Sequence, residues 1–134
     1  MKDIILDANN AVAGRLASVA ARYLMKGSRV TIINAGNAVI TGRPEAVRKL
    51  YAEKVERGDP YHGPFYPREP TRILKRIVRG MINYHQARGK AAFKQLRVYT
   101  TSPALTSTPV KSPETLNTSL KHIKLSDLSA SLGK

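Results

Sequence analysis

Four cationic side chains recur at helical spacing between residues 71 and 84. They are Arg72, Lys75, Arg76 and Arg79, and they fall opposite an apolar stripe of Ile73, Leu74, Ile77, Val78, Met81 and Ile82. We expect the four to have no acid within helical reach and to repel one another by about a few tenths of a kcal/mol per adjacent pair. Because guanidinium groups bind phosphate through paired hydrogen bonds, this face predicts phosphate contact. A basic face that meets only solvent is the alternative.

The basic character continues along the chain. No Asp or Glu lies between Glu69 and Glu114. The same stretch adds five cations to those of the helix, namely Arg88, Lys90, Lys94, Arg97 and Lys111. Since no acidic residue of the stretch neutralises them, they are predicted to extend the surface for a polyanion.

Residues 58–70 are predicted to form an irregular loop, because they contain four prolines and two glycines. His62, Tyr66 and Arg68 lie in this loop and are candidate RNA contacts. Such a loop can stack its rings on unpaired bases while its cation meets phosphates. The aromatic side chains, which also include Tyr61 and Phe65, could equally close over the core.

Composition favours a polyanionic partner. Lys plus Arg is 23 against 9 Asp plus Glu, which gives a formal net charge of +14. Nucleic acid relieves this self-repulsion, because each neutralised phosphate releases a counterion. The alternatives are a protein that merely happens to be basic and a membrane-surface protein, although no segment combines a cationic face with large exposed apolar residues. The opening residues do not resemble a secretion signal and no apolar run could span a membrane, so we expect a soluble, intracellular chain.

Catalytic and metal chemistry finds little support in the residues. A strand, a turn with Gly14 and a helix resemble the start of a dinucleotide fold, but neither the G-x-G-x-x-G nor the P-loop pattern is present. The histidines lack metal-ligand spacing, and the absence of cysteine excludes disulfides, thiolate-bound zinc and thiol catalysis. We therefore predict no catalytic site, no cofactor, no metal and no small-molecule substrate.

The order of apolar runs predicts an α/β protein. Short β-branched strands over 4–6, 29–34, 39–41, 97–99 and 120–125 alternate with helices over 15–26, 43–57, 71–84, 87–96 and 126–132. Alternation of this kind predicts a single compact three-layer α/β/α domain with a mostly parallel sheet of about four strands. Ser126 and Asp127 are expected to cap the last helix.

The charges on the helix over 43–57 differ in kind from those on the helix over 71–84. Glu45, Lys49, Glu53 and Arg57 alternate in sign at steps of four. We expect them to pair among themselves and to form a solvated face.

Three regions are predicted along the chain. Residues 1–99 form the α/β core that binds RNA, and residues 100–119 form a Thr/Ser/Pro-rich extended segment. Residues 120–134 supply a C-terminal strand and short helix that pack back on the core. The middle region is assigned by composition, because its few apolar residues cannot offset the entropy of ordering alone.

Several ordered motifs carry a family resemblance. They are Asp7-Ala8, Gly14 to Ser18, Val30 to Ala35, Ile40 to Gly42, Gly63 to Phe65, Arg68 to Ile73, Val78 to Met81, Arg88-Gly89 and Leu96 to Tyr99. In order and spacing they resemble the ribosomal protein L13 family of the large subunit, in its archaeal and eukaryotic branch. The resemblance runs from about residue 3 to 103, with a weaker match at 124–128. Ile82-Asn83 and Thr101 depart from the family's pattern.

The resemblance implies a structural protein that holds large-subunit (23S-type) ribosomal RNA, supports subunit assembly and translation, and touches neighbouring ribosomal proteins in the cytoplasmic ribosome. It also implies an RNA-facing role for Arg15, for the loop from His62 to Arg68, and for Arg72, Arg76, Arg79 and Arg88. A nucleotide-binding enzyme and a nucleic-acid-binding regulator acting off the ribosome are the rival hypotheses.

Overall fold

The computed structural model describes residues 3–57, 61, 63, 66–100, 110–111 and 121–132. The strands are β1 (Asp3–Asp7), β2 (Arg29–Ile33), β3 (Val39–Thr41), β4 (Leu96–Val98), β5 (Val110–Lys111) and β6 (His122–Lys124). The helices are α1 (Ala13–Met25), α2 (Pro44–Glu56), α3 (Pro70–Met81), α4 (Ala87–Phe93) and α5 (Leu125–Ser131), with a short 3-10 helix over Ala35–Asn37.

A four-stranded parallel sheet forms the centre of the molecule. Its strand order is β4-β2-β1-β5, and Ile4 to Asp7 of β1 face Val30 to Ile33 of β2 in register. Helix α1 connects these two strands. Parallel strands need such a crossover, because the chain must return to the starting edge of the sheet before the second strand begins. The sequence prediction of an α/β fold with a mostly parallel sheet is confirmed.

The core lies between the sheet and the helices on one of its faces. Leu6, Val30, Ile32 and Leu96 are at most 1% exposed and share a cluster with the inward faces of α1 and α3. Their side chains point to the same side because parallel partners in register share a face. Helix α3 packs against α1 through its apolar side. Its opposite side, which carries the cations, therefore faces outward.

The end of the chain returns to the core. Strand β6 pairs antiparallel with β3, and the Leu125 amide donates to the Ala38 carbonyl at 2.9 Å. Helix α5 then packs against α3 and the 3-10 helix, with Leu125 and Leu128 fully buried. The C-terminal residues thus contribute directly to the packing of α3.

Three details differ from the sequence predictions. The cap prediction is wrong, because α5 begins at Leu125, its N-cap is Lys124, and no side chain caps it. Helix α4 ends at Phe93, since Leu96 is needed in β4 beside Val30. Strand β5 was not predicted: within the Thr/Ser/Pro-rich segment, Val110 and Lys111 pair with β1 of the same sheet. A two-residue strand has no periodicity to detect.

The predicted charge pairing on α2 is also wrong. None of its alternating charges, Glu45, Lys49, Glu53 and Arg57, has an ion pair within 4.0 Å among the residues described. Exposed pairs of this type gain little, so long side chains remain dispersed in solvent. Lys54 of the same helix is not one of these four residues. Its ammonium group lies 4.8 Å from the centre of the Tyr51 ring.

Candidate nucleic-acid interface

Helix α3 presents a cationic face because its other face is buried. Pro70 occupies the first turn, where a missing N–H costs nothing, and Ile73, Leu74 and Val78 are fully buried. Burial of these three residues fixes the rotation of the helix. Four cations are therefore directed away from the core, namely Arg72, Lys75, Arg76 and Arg79.

Arg72 has an acidic neighbour, which corrects the expectation that the whole face lacks one. Its Nε lies 3.7 Å from Glu69 Oε2, one helical turn earlier. The side chains are 71% and 46% exposed, so the attraction is weak and screened. Arg72 consequently remains available to a stronger anionic partner such as a phosphate.

Arg76 and Arg79 are supported by aromatic rings. The Arg76 guanidinium lies 5.5 Å from the centre of the Tyr66 ring, and that of Arg79 lies 4.5 Å from the centre of the Tyr84 ring. Both arginines are only partly exposed. An aromatic face attracts a cation and limits its rotamers, so less side-chain entropy is lost when an anion binds. The two cations are held in place before any partner arrives.

Tyr66 packs on its own domain. Its ring meets that of Tyr51 edge-on with centroids 5.8 Å apart, and Lys54 and Arg76 lie within 5.5 Å of its centroid. Burial raises the pKa of Tyr66 to about 12, with a smaller contribution from the neighbouring Tyr51. Of the two readings of the aromatic loop, closure over the core therefore describes Tyr66. Tyr61 is 87% exposed, whereas His62 and Phe65 lie outside the described residues.

Two grooves flank the supported arginines. One, of about 280 Å³, lies between the end of α3 and the following turn and is lined by Arg76, Arg79, Gly80, Ile82, Asn83, Tyr84 and His85. The other, of about 220 Å³, is lined by Pro67, Arg72, Lys75, Arg76, Arg79 and Phe93. Arg76 and Arg79 form the ridge between them, so each can contact an anion in either groove.

The turn over residues 82–86 was missed as part of the site. In the sequence, Asn83 stands out only as a departure from the family's pattern, Tyr84 does not stand out, and His85 is considered only as a metal ligand. The Tyr84 amide donates to the Ile82 carbonyl at 2.9 Å, and the Tyr84 ring packs edge-on against Phe93 at 5.5 Å. The available signal was an Asn-Tyr-His sequence that follows closely on a basic helix.

The remaining predicted site residues are spread around this centre. Lys90 lies 5.9 Å from the centre of the Tyr84 ring and so belongs to the cluster. Arg15 and Lys94 are exposed on α1 and after α4, and Arg68 is exposed just before α3. Lys111 is in β5, and its side chain lies outside the described residues.

Two of the predicted site residues also bond to the protein's own main chain. The Arg88 guanidinium donates to the Met25 carbonyl at 3.2 Å, where α1 ends. That of Arg97 donates to the Lys94 and Leu96 carbonyls at 3.1 and 3.2 Å. The Met25 and Lys94 carbonyls stand at the C-termini of α1 and α4, where carbonyls lack helical partners and a cation can satisfy them. Both side chains therefore have a structural role, although both remain exposed.

Other kinds of site are not visible in the described residues. They contain no group of three or more His, Asp or Glu side chains that could hold a metal ion. Among them, no helix has the length and apolar character needed to cross a bilayer.

The fold and the site define a basic α/β protein with a cationic helix face backed by aromatic rings. The family profile described as "Ribosomal protein L13" matches residues 1–104. The chain belongs to this family, as its motifs indicated. Members of the family are structural proteins, which confirms the prediction that the chain is not an enzyme.

Archaeal relatives share this likeness. The large ribosomal subunit protein uL13 of Methanopyrus kandleri is 48% identical over 99 residues, which cover 74% of this chain and 62% of that protein. Its counterpart from Methanosarcina barkeri is 40% identical over 139 aligned positions, which cover 96% of each protein. That of Methanocaldococcus jannaschii is 38% identical over 133 aligned positions, again covering 96% of each protein.

Proposed function

We propose that this chain is a structural constituent of the large ribosomal subunit in the cytoplasm. It binds large-subunit (23S-type) ribosomal RNA and thereby supports subunit assembly and translation. Relatives that are 96% covered carry the name of a large ribosomal subunit protein. A formal net charge of +14 suits a protein that is surrounded by the phosphates of RNA, because the phosphates neutralise the excess positive charge.

One observation carries the RNA-binding part of the proposal. Arg76 and Arg79 stand one helical turn apart, and an aromatic ring supports each guanidinium. Residues three apart on a helix are neighbours, so two fixed cations face the same volume. A surface that served only solubility would have no reason to order them. Fixed guanidinium groups match the geometry of phosphate oxygens.

The RNA surface of the proposal extends outward from this pair. It comprises Arg15, His62, Arg68, Arg72, Lys75, Arg76, Arg79, Arg88, Lys90, Lys94, Arg97 and Lys111, and Tyr66 contributes by holding Arg76. Residues 1–99 provide its core, residues 100–119 lie extended, and residues 120–134 pack back on the core. Neighbouring ribosomal proteins cover other parts of the surface.

The test compares two sets of substitutions. Changing Arg72, Arg76 and Arg79 together to Gln keeps helix propensity nearly constant and removes like-charge repulsion. It loses the exposed pair with Glu69 and the contacts with the Tyr66 and Tyr84 rings, so we expect the free protein to lose about 1–3 kcal/mol of stability but to remain folded. The same variant should fail to enter large subunits on a sucrose gradient at high salt.

The matched control changes Lys49 and Arg57 on α2 to Gln. Neither side chain has an ion pair within 4.0 Å in the described structure, so stability should be almost unchanged. This variant should enter large subunits normally. Normal entry of the triple arginine variant would contradict the proposal, because it would show that the face of α3 meets only solvent.

A further inference from the structure

Gly80 stands in helix α3 where an alanine would fit. A Cβ built at this position meets nothing within 4 Å, and the residue is exposed. Gly80 is the next-to-last residue of α3, where glycine still lowers stability relative to alanine, although by less than at mid-helix, because its unfolded backbone has more freedom to lose. Packing within the protein therefore does not explain the glycine.

Gly89 provides the contrast. A Cβ at Gly89 would overlap the main-chain carbonyl of Asn83, so α4 can approach the 82–86 turn only if this residue is glycine. That close approach holds Asn83, Tyr84 and His85 beside the end of α3. Packing thus explains Gly89, whereas Gly80 faces the open groove that the turn creates.

The groove beside Gly80 has the polarity that an RNA strand needs. Arg76 and Arg79 lie on one side of Gly80 in the helix, and exposed Asn83 and His85 stand across from them. The side chains of Asn and His donate and accept hydrogen bonds at base edges and ribose hydroxyls. Its volume of about 280 Å³ is at the lower end of small-molecule sites, which suits one nucleotide rather than a duplex.

We propose that one nucleotide of the bound RNA enters this groove and that its sugar–phosphate backbone passes directly over Gly80. Arg76 and Arg79 hold the phosphate, and the turn at Asn83 and His85 contacts the base or ribose. The absence of a side chain at Gly80 leaves the space that the strand occupies. This inference rests on the RNA-binding function proposed above and adds a particular point of contact to it.

The experiment replaces Gly80 with Ala and, separately, with Leu. Both are good helix formers, so the free protein should melt higher, by about 1–3 °C for alanine in the last turn of the helix. Affinity for deproteinised large-subunit RNA of the source organism should fall by about fivefold or more with alanine and further with leucine, because the added atoms overlap the strand. Stability and binding thus move in opposite directions.

Gly14→Ala is the matched control. Gly14 is also helical and exposed, a Cβ there also meets nothing within 4 Å, and it does not line the groove. The Gly14→Ala change should raise the melting temperature, and it should lower the affinity for RNA less than Gly80→Ala does. Equal affinity losses in Gly14→Ala and Gly80→Ala would overturn the inference, and so would a lower melting temperature in Gly80→Ala.

The arginine variant separates this inference from the proposed function. Suppose that Gly80→Ala and Gly80→Leu bind RNA as tightly as the unaltered protein while the triple arginine variant fails to bind. The proposed nucleotide site beside Gly80 would then be wrong, and the proposal that α3 binds RNA would remain supported. If neither the glycine nor the arginine variants lose affinity, both proposals fall.

Discussion

The hydroxyl of Ser129 donates a hydrogen bond of 2.6 Å to the main-chain carbonyl of Arg68, a residue 61 positions earlier. Ser129 lies in α5 and is 7% exposed, while Arg68 stands two residues before α3 begins. The C-terminal helix therefore fixes the entry into the helix that carries the candidate phosphate contacts.

Ser129→Ala should destabilise the protein and weaken RNA binding. The change leaves a half-buried carbonyl without this partner, which costs about 1–3 kcal/mol. Ser131→Ala is the control, because the Ser131 hydroxyl bonds to Leu128 within its own helix at 2.7 Å. Urea unfolding and RNA affinity should both show the larger effect for Ser129. Equal effects of the two changes would mean that α5 does not position the start of α3.

The affinity for large-subunit RNA should depend steeply on salt. If the basic surface neutralises about six to ten phosphates, the slope of log affinity against log salt should lie between about −4 and −9. Each arginine of α3 that contacts a phosphate and is changed to Gln should reduce the slope by about one. A slope near zero in filter-binding measurements would exclude phosphates as the main partner.

Removing the ring beneath Arg79 should weaken RNA binding. Tyr84→Leu takes away the aromatic face that lies 4.5 Å from the guanidinium, and such contacts contribute about 0.5–2 kcal/mol. Tyr84→Phe keeps a ring and should bind almost as well as the unaltered protein. If the leucine and phenylalanine variants bind RNA equally, the ring does not prepare Arg79 for its partner.

Tyr66 should make folding stability sensitive to alkali. Its folded pKa is about 12 against an ordinary value of 10.0, mainly because burial disfavours the phenolate. Its contribution is complete below pH 10.0 and is lost as the pH rises towards about 12, since the unfolded chain ionises first. Urea unfolding of Tyr66→Phe across this range should fall less steeply than that of the unaltered protein. Tyr99→Phe, at a tyrosine that is 41% exposed, is the control.

Gly89→Ala should be much more damaging than Gly80→Ala. A Cβ at Gly89 overlaps the Asn83 carbonyl, so either α4 or the 82–86 turn must move. Overpacking of this kind costs about 1–3 kcal/mol, and more where the obstacle is main chain. Thermal melts of the two variants should therefore shift in opposite directions. A higher melting temperature for Gly89→Ala would show that the turn is not packed as described.

Most of the regular structure could be predicted because periodicity is local. The apolar stripe of α3 and the β-branched runs of β1 and β2 each lie within one segment, and burial then follows from the pattern. The basic face of α3 was predictable for the same reason, because Arg76 and Arg79 share a side wherever the stripe is buried. The family resemblance, from motifs in fixed order, was also readable along the chain.

The ends and supports of the site could not be predicted in this way. The sequence predicts Glu69 in the loop before the helix, yet its side chain reaches Arg72 from the N-cap position of α3. The pairing of Arg79 with Tyr84 depends on where α3 stops and how the next turn folds back. The position at which a helix ends depends on individual main-chain hydrogen bonds, and a repeating sequence pattern does not predict these.

The order of the helices and of every strand except β5, the outward basic face and the family all follow from the sequence. Those properties arise from the spacing of neighbouring residues and from net charge. Other contacts depend on how the whole chain folds: Tyr66 and Tyr84 hold Arg76 and Arg79, Ser129 bonds to Arg68, and β5 pairs with β1. Each of these contacts requires the chain to turn between its two partners, and dihedral angles in a few turn residues set the direction of each turn. These dihedral angles depend on packing elsewhere in the fold, so they cannot be predicted from the sequence of any one segment.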